Sequence, residues 1–505
     1  MRKLSVLGLA IAFVVGARAD ASDDTFEQHQ AIVRLHDAAD PNAFLALLTP
    51  SFPGISISRQ IASRNVLMLS IPPQFNEDEV EIALTAMVNP VPGFDPTRPL
   101  RWAELNYEGR APEGRTGTIW VTRAQYDSTQ YTSQYIGQQI GIAQSQARST
   151  GRGAVVALLD TGVDATHPLL AGVVRSDGRN FLNPATPNDT RDIGDGLDND
   201  QDGVIDEGVG HGTFMAGLIH LLAPQAQILP VVVIDSDGVG DMFAWAEGVF
   251  FAIDHGVEVI NMSLSSTYNS DLLKDALLEA RQRGIIAVAA AGNQNRVQRE
   301  FPAMSVYHDN LQDLPLAIGV ASIDHAGIKA AFSNFNSRLA ICAPGTSTII
   351  AGEPVVSEAI FSLLPGDRVG VWEGTSVSTA LVSGAAAAVR AQYPSLDATP
   401  ATADFIRNVL TSTSADVYAL NPQYGPPIAS APQLGSGLLA ADAATLSGPP
   451  MPALADLNGD GVVDSLDLGI MLRDWALIHS IADLNGDGVV SEADLGIMLR
   501  EWQGP

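Results

Sequence analysis

Between residues 113 and 446, short apolar runs alternate with stretches of helical spacing, and that alternation constrains the fold most. It is the pattern of a parallel sheet covered by helices on both faces, since only strands buried on both sides read as continuous apolar runs. Ala154–Leu159, Ile228–Val233, Val257–Met262 and Ile285–Ala290 read as buried strands. Helical spacing falls at Thr213–Leu222, Met242–His255, Asp271–Arg283 and Ser376–Gln392. A chain of 505 residues exceeds one ordinary domain, and an apolar content of 46% fills a large core and excludes global disorder. A formal net charge of −29 argues against nucleic acid as a partner, because phosphate binding needs clustered Lys and Arg.

Four of these strand ends and helix starts carry chemically useful groups, in the order Asp160, His211, Asn293, Ser376. Asp160 ends a buried strand in Asp160-Thr-Gly162, where a carboxylate can hold an imidazole tautomer and stabilise its protonated form. His211 stands between Gly210 and Gly212 at a helix start, where it can act as general base and then general acid. Ser376 opens an Ala-rich helix, which exposes its hydroxyl and points backbone N–H groups at a developing oxyanion. Asn293 ends a further strand and offers a side-chain N–H to the same oxyanion. The set suits acyl transfer, and an Asp-then-His-then-Ser order separates one solution from the others. In these motifs the chain resembles the subtilisin-like serine proteases (subtilases). Val259-Ile-Asn-Met-Ser263-Leu264, Phe332-Ser-Asn-Phe335 and Ala343-Pro-Gly345 also match landmarks of that family. The resemblance implies that Ser263, Leu264 and Ser265 lie along an extended substrate, although many members have Gly where this chain has Ser265. After the nucleophile, a common Met-Ala-(Ser/Thr)-Pro-His-Val run becomes Val377-Ser-Thr-Ala-Leu-Val382, with no catalytic group lost.

Met1-Arg2-Lys3, the apolar run Leu4–Val15 and the small-x-small Ala17-Arg18-Ala19 form a secretion signal, which gives a signal peptide over 1–19. No other segment reaches spanning length, so no membrane span is expected after signal cleavage. Residues 20–112 read as strand, helix, strand, helix, strand, with strands at Ala31–Leu35, Val66–Ile71 and Arg101–Tyr107 and helices at Pro41–Leu48 and Glu77–Met87. This α+β unit, and its Ala103-Glu104-Leu105-Asn106-Tyr107 ending, resembles the inhibitory propeptide of many subtilases. The peptidase domain then covers 113–446, and a Pro-bearing linker covers 447–453.

A repeat fills 454–505: Ala455-Asp-Leu-Asn-Gly-Asp-Gly-Val-Val463 recurs at Ala482–Val490, an offset of 27 residues between positions 456 and 483. Asp456, Asn458, Asp460, Val462, Asp464 and Asp467 fit loop positions 1, 3, 5, 7, 9 and 12 of a calcium site, with Val462 contributing its carbonyl. Asp483, Asn485, Asp487, Val489, Ser491 and Asp494 repeat the set. Asp rather than Glu at the last position, with one helix after each loop, resembles a dockerin. That resemblance implies Ca2+ as cofactor and a cohesin-like docking partner; a calcium-stabilised cap without a partner is the other reading. A third acidic loop, Asp198, Asp200, Asp202, Val204 and Asp206, leads into His211 and again fits calcium, with Glu207 as a further donor; a solvated acidic loop is the alternative.

The expected fold class is therefore α/β of the subtilisin-like kind, preceded by a small α+β propeptide and followed by a small all-α calcium-loop module. The resemblance implies a secreted or cell-surface endopeptidase that acts on protein or peptide substrates, is made as a zymogen and is cut between Tyr107 and Ser128. The competing class is a binding protein on a protease-shaped domain, with its activity in the C-terminal module. The single cysteine, Cys342, excludes an intrachain disulfide and reads as a small packed side chain.

Overall fold

The computed structural model describes residues 25–89, 95, 97–115, 128–309, 312–350, 353–446, 463–473, 475 and 490–502. Residues 1–24 and most residues of the two Asp-rich repeat loops lie outside them.

The first unit runs β1 (Phe26–Leu35), α1 (Pro41–Leu48), β2 (Ser56–Ile61), β3 (Val66–Ser70), α2 (Glu77–Ala86) and β4 (Leu100–Arg110). Asp40 caps α1 by accepting from the Ala43 N–H, with Pro41 in the first turn, where its missing N–H costs nothing. Asn76 caps α2 in the same way, and Glu77, Asp78 and Glu79 fill that helix's first turn. The strands pair antiparallel in the order β2-β3-β1-β4. β2 was not expected from the sequence. It is an edge strand whose polar positions face solvent, so Ser-Ile-Ser-Arg-Gln-Ile carries too few apolar residues to stand out.

Three short helices, α3 (Ser128–Ser133), α4 (Ile136–Gln139) and α5 (Ile142–Gln146), open the second unit. It continues through β5 (Val155–Asp160), β6 (Arg179–Asn180), α6 (His211–Leu222), β7 (Gln227–Val232), β8 (Val239–Asp241), α7 (Met242–Asp254), β9 (Val259–Met262), α8 (Asp271–Gln282) and β10 (Ile286–Ala290). A hairpin, β11 (Val306–Asp309) and β12 (Gln312–Pro315), precedes β13 (Ile318–Ile323) and β14 (Ile341–Pro344), and α9 spans Thr375–Ala391. Seven strands form one parallel sheet in the order β14-β13-β10-β9-β5-β7-β6. Alternate residues of each strand feed two cores: Ala157 and Leu159 pack on the α7–α8 side, Val156 and Leu158 on the α6–α9 side.

The first unit is seated on α7 and α8 and shares their core. Asp241 and Ser270 cap those helices from their own segments, and β4 adds further acceptors at both starts. Glu104 accepts from the Asp271 and Leu272 N–H groups at 2.8 and 3.1 Å and from Ser270 Oγ at 2.6 Å. Asn106 Oδ1 accepts from the Phe243 N–H at 3.2 Å. Arg64 bridges Asp254 and Glu279, Arg59 pairs with Glu247, and Tyr107 stacks on Tyr268.

In the C-terminal region, Val463, Met471, Val490 and Met498 pack together, while Leu472 and Leu499 are exposed. Asp467 and Asp494 are buried at their helix starts and accept from the Asp464 and Ser491 N–H groups. Asp456, Asn458, Asp460, Val462, Asp483, Asn485, Asp487 and Val489 lie outside the described residues.

Candidate active site

The site lies at the carboxyl ends of the central strands, where loops leave an open α/β sheet. β5 ends on Asp160, β9 leads into Ser263, β10 leads into Asn293, and α6 and α9 begin at His211 and beside Ser376. The local sequence makes these close approaches possible. A side chain at Gly212 would place its Cβ 2.0 Å from the Gly162 carbonyl oxygen, so the His211 turn closes on Gly162 only without one.

All four expected residues converge. His211 Nδ1 lies 2.7 Å from Asp160 Oδ1, and both side chains are buried. Asn293 Oδ1 accepts from the Thr375 N–H and hydroxyl at 3.0 and 2.8 Å, which turns its amide nitrogen toward Ser376. Ser263 Oγ donates to the Ser376 carbonyl at 3.2 Å, and Asn261 Nδ2 donates to Ser263 Oγ at 3.0 Å.

A fifth group, which the sequence reading placed only at a domain boundary, sits among them. Glu113 enters on a single 3₁₀ turn over Pro112–Arg115. Ser376 Oγ donates to Glu113 Oε2 at 2.8 Å, His211 Nε2 lies 3.3 Å from the same oxygen, and Asn293 Nδ2 donates to Oε1 at 3.3 Å. A Cβ at Gly374 would stand 1.7 Å from Glu113 Oε1, so Gly374 leaves the space this carboxylate fills. Burial disfavours an imidazolium here, but Asp160 and Glu113 on its two sides outweigh it and push the His211 pKa up to about 10. With Glu113 in place the imidazolium is favoured over the neutral imidazole.

The strand that delivers Glu113 is bound as a substrate strand would be. Glu108, Gly109 and Arg110 pair antiparallel with Asp241, Gly240 and Val239. On the other edge, Arg110 exchanges both backbone hydrogen bonds with Ser265, at 3.0 and 2.8 Å. The chain thus lies as an added strand between β8 and the Ser263–Ser265 segment.

The subtilase family model matches residues 151–436, more than half of the chain. The chain belongs to the subtilase family. A dockerin type I domain model matches residues 454–503. Thermitase of Thermoactinomyces vulgaris is 34% identical over 269 residues, covering 51% of this chain and 82% of the relative. Subtilisin BL of Lederbergia lenta is 32% identical over 305 residues, covering 59% and 92%. Fervidolysin from Fervidobacterium pennivorans, a keratinolytic enzyme related to subtilisin, aligns with a TM-score of 0.62 at 21% identity over 86% of this chain and 62% of its own; that likeness shows the fold. This protein is thus a subtilase-family serine peptidase that carries a dockerin module, not a binding protein on a borrowed fold.

Two further residues support this subtilase's site without a readable sequence signal. Asp192 is fully buried and accepts from the N–H groups of Gly210 and Thr213 and from the Thr213 and Thr161 hydroxyls, between 2.6 and 3.1 Å. It caps the start of α6 from a distance, and burial raises its pKa. Trp372 packs edge-on against the His211 ring at 5.4 Å. Cys342 is buried, and burial pushes its thiol pKa up, in keeping with a packed side chain.

In the acidic loop, ligand oxygens of Asp198, Asp200 and Asp202 lie within 4.8 Å of one another. Asp206 points elsewhere, accepting from the Asp195 and Gly196 N–H groups, and Val204 is exposed. Glu207 has its pKa pushed up to about 7 by burial and by Asp237, Asp202 and Asp200. Arg110 Nη1 reaches Asp200 Oδ2 at 3.2 Å.

Proposed function

We propose that this subtilase is a secreted endopeptidase made as a zymogen, with Ser376 as nucleophile, His211 as base and acid, Asp160 as the orienting carboxylate and Asn293 as an oxyanion donor. On this reading the unit over 20–112 is the inhibitory propeptide. Once Glu113 leaves, Ser376 Oγ attacks a peptide carbonyl as His211 Nε2 takes its proton. The carbonyl oxygen becomes an oxyanion held by Asn293 Nδ2 and backbone N–H groups at the start of α9. His211 then returns the proton to the leaving amine, and water releases the acyl group from Ser376 by the same route in reverse. One observation carries the reading: a single carboxylate is gripped by Ser376, His211 and Asn293 at once, so these groups form a built anion site at the end of a bound strand.

Fluorophosphonate labelling with intact-mass analysis tests it. One adduct on a shortened wild-type chain, absent from an unshortened Ser376→Ala chain, is expected, with turnover in the variant lower by on the order of 10⁶. No adduct on a wild-type chain already shortened would overturn the assignment.

We assign calcium to the two repeat loops and to the Asp198, Asp200, Asp202 group, whose clustered carboxylates suit a hard cation. Bound there, calcium would neutralise the clustered charge and fix the loops. In the repeats it would hold the small Val463, Met471, Val490, Met498 core together, and the exposed Leu472 and Leu499 would be available to a cohesin-like partner. EDTA should remove the C-terminal unfolding transition in calorimetry of the full chain. An unchanged thermogram would refute the calcium assignment to the repeats.

A further inference from the structure

We propose that Trp245 makes this subtilase selective for glycine at the fourth residue before the cut bond; the inference rests on the peptidase reading above. The Glu113 carboxylate meets Ser376 Oγ just beyond β4; taking the Pro112–Glu113 bond as the one presented for cutting places Gly109 four residues upstream of it. Gly109 lies directly opposite Gly240 in the antiparallel pair. Neither glycine has a positive φ, so their backbone does not call for glycine. What they supply is space, and at Gly109 the Trp245 indole occupies it. A Cβ on Gly109 would stand 2.3, 2.6 and 3.0 Å from three carbons of the indole six-membered ring; one on Gly240 would stand 2.1 Å from the Val233 carbonyl oxygen and 2.9 Å from the indole Nε1.

With the first unit seated, Trp245 is fully buried in the first turn of α7, in the core that joins that unit to the sheet, and its indole Nε1 faces Gly240 on the peptidase side. It is therefore the floor of the cleft at this register position, and a substrate residue there meets ring carbon as soon as it carries a side chain. Neighbouring positions are not restricted in this way: the Arg110 side chain reaches out to Asp200.

The test uses the self-processed wild-type enzyme and internally quenched peptides built on a cut site mapped in casein by mass spectrometry, varied only at the fourth residue before the cut. Overpacking a rigid site predicts that Gly to Ala lowers kcat/KM by about tenfold or more, and Val or Phe by more still. Trp245→Ala should flatten the series. Equal kcat/KM, within about twofold, for Gly, Ala and Phe in the wild type would overturn the inference while leaving the peptidase intact. A chain that cuts neither casein nor any peptide would overturn the peptidase reading, and the inference is then read on the uncut chain. There Gly109→Val should push the strand out and expose the Arg110–Ala111 bond to trypsin. Protection equal to wild type would overturn the inference.

Discussion

Glu104 and Glu113 leave the same stretch of chain and both enter the peptidase domain, yet they meet opposite surroundings. Glu104 is fully buried among donors that need an acceptor, the Asp271 and Leu272 N–H groups and the Ser270 hydroxyl. Burial is the larger influence and pushes its pKa up to about 7, against those hydrogen bonds. Glu113 meets three groups that have other work, Ser376, His211 and Asn293. One carboxylate completes a helix and the other occupies a reaction site. On the zymogen reading proposed above, adhesion and inhibition are carried by different residues of one strand and its turn, and they can be broken separately.

The largest effect is expected at the inhibitory end. Glu113→Gln removes the negative charge that two donors and an imidazolium share, worth about 1.5 to 3 kcal/mol per charged hydrogen bond. Self-processing, followed by gel and mass, should quicken by roughly tenfold to a hundredfold. The same substitution takes away one of the two carboxylates that raise the His211 pKa. In wild type the imidazolium is favoured with Glu113 inserted, so the pair stabilises the inserted state fully below the ordinary imidazole pKa of about 6.5. That stability is lost as pH rises through about 10. The rate of self-processing should therefore climb toward pH 10 in wild type and at lower pH in Glu113→Gln. A variant whose rate and profile match wild type would mean that Glu113 does not restrain the site.

The adhesive end should show a smaller and differently placed dependence. The Glu104 pKa is raised in the docked state, so its contribution to docking is complete below the ordinary carboxylate pKa of about 4.3 and falls away as pH rises through about 7. A rise from 4.5 to about 7 corresponds to about 3 kcal/mol at most. Precursor stability of the uncut Ser376→Ala chain, measured by urea denaturation, should fall between pH 5 and about 8. Glu104→Gln should flatten that fall while leaving the profile near pH 10 in place. A flat wild-type curve would place the docking energy elsewhere, in the Arg64 and Arg59 ion pairs and the Tyr107–Tyr268 stack.

The two ends also differ in how far they could be read in advance. The parallel sheet was legible because its strands are buried on both faces and so read as unbroken apolar runs, as in Val155–Leu159 and Ile286–Ala290. The four polar residues were legible because each interrupts such a run at a strand end or helix start. Glu104 fell inside a stretch whose likeness to a propeptide was readable, although its role as a cap was not. Glu113 had no such mark: its place among Ser376, His211 and Asn293 depends on the register of β4 against β8, which no local pattern encodes. Asp192 was hidden for a similar reason, since it is one acid in an acidic stretch and only the fold brings it to the start of α6. β2 was missed because an edge strand with a solvent face resembles a loop.

Arg110 tests whether the strand between the two carboxylates adds a third contribution. Its backbone is fixed on both edges, by Val239 and by Ser265, and only its guanidinium reaches Asp200. That ion pair is partly open to solvent on the Arg side, with 20% and 6% of the two side chains exposed. A pair of this kind is worth about 1 kcal/mol or less once screening is counted. Arg110→Ala keeps both sets of backbone bonds, so the self-processing rate should change by no more than about fivefold, and less in high salt. Calcium at Asp198, Asp200 and Asp202 would weaken the pair further by competing for Asp200, so the small effect should shrink when calcium is added. A change of a hundredfold would mean that the acidic loop grips the strand as strongly as the catalytic groups do. Inhibition would then no longer be localised at Glu113, and the separation of the two carboxylates would fail.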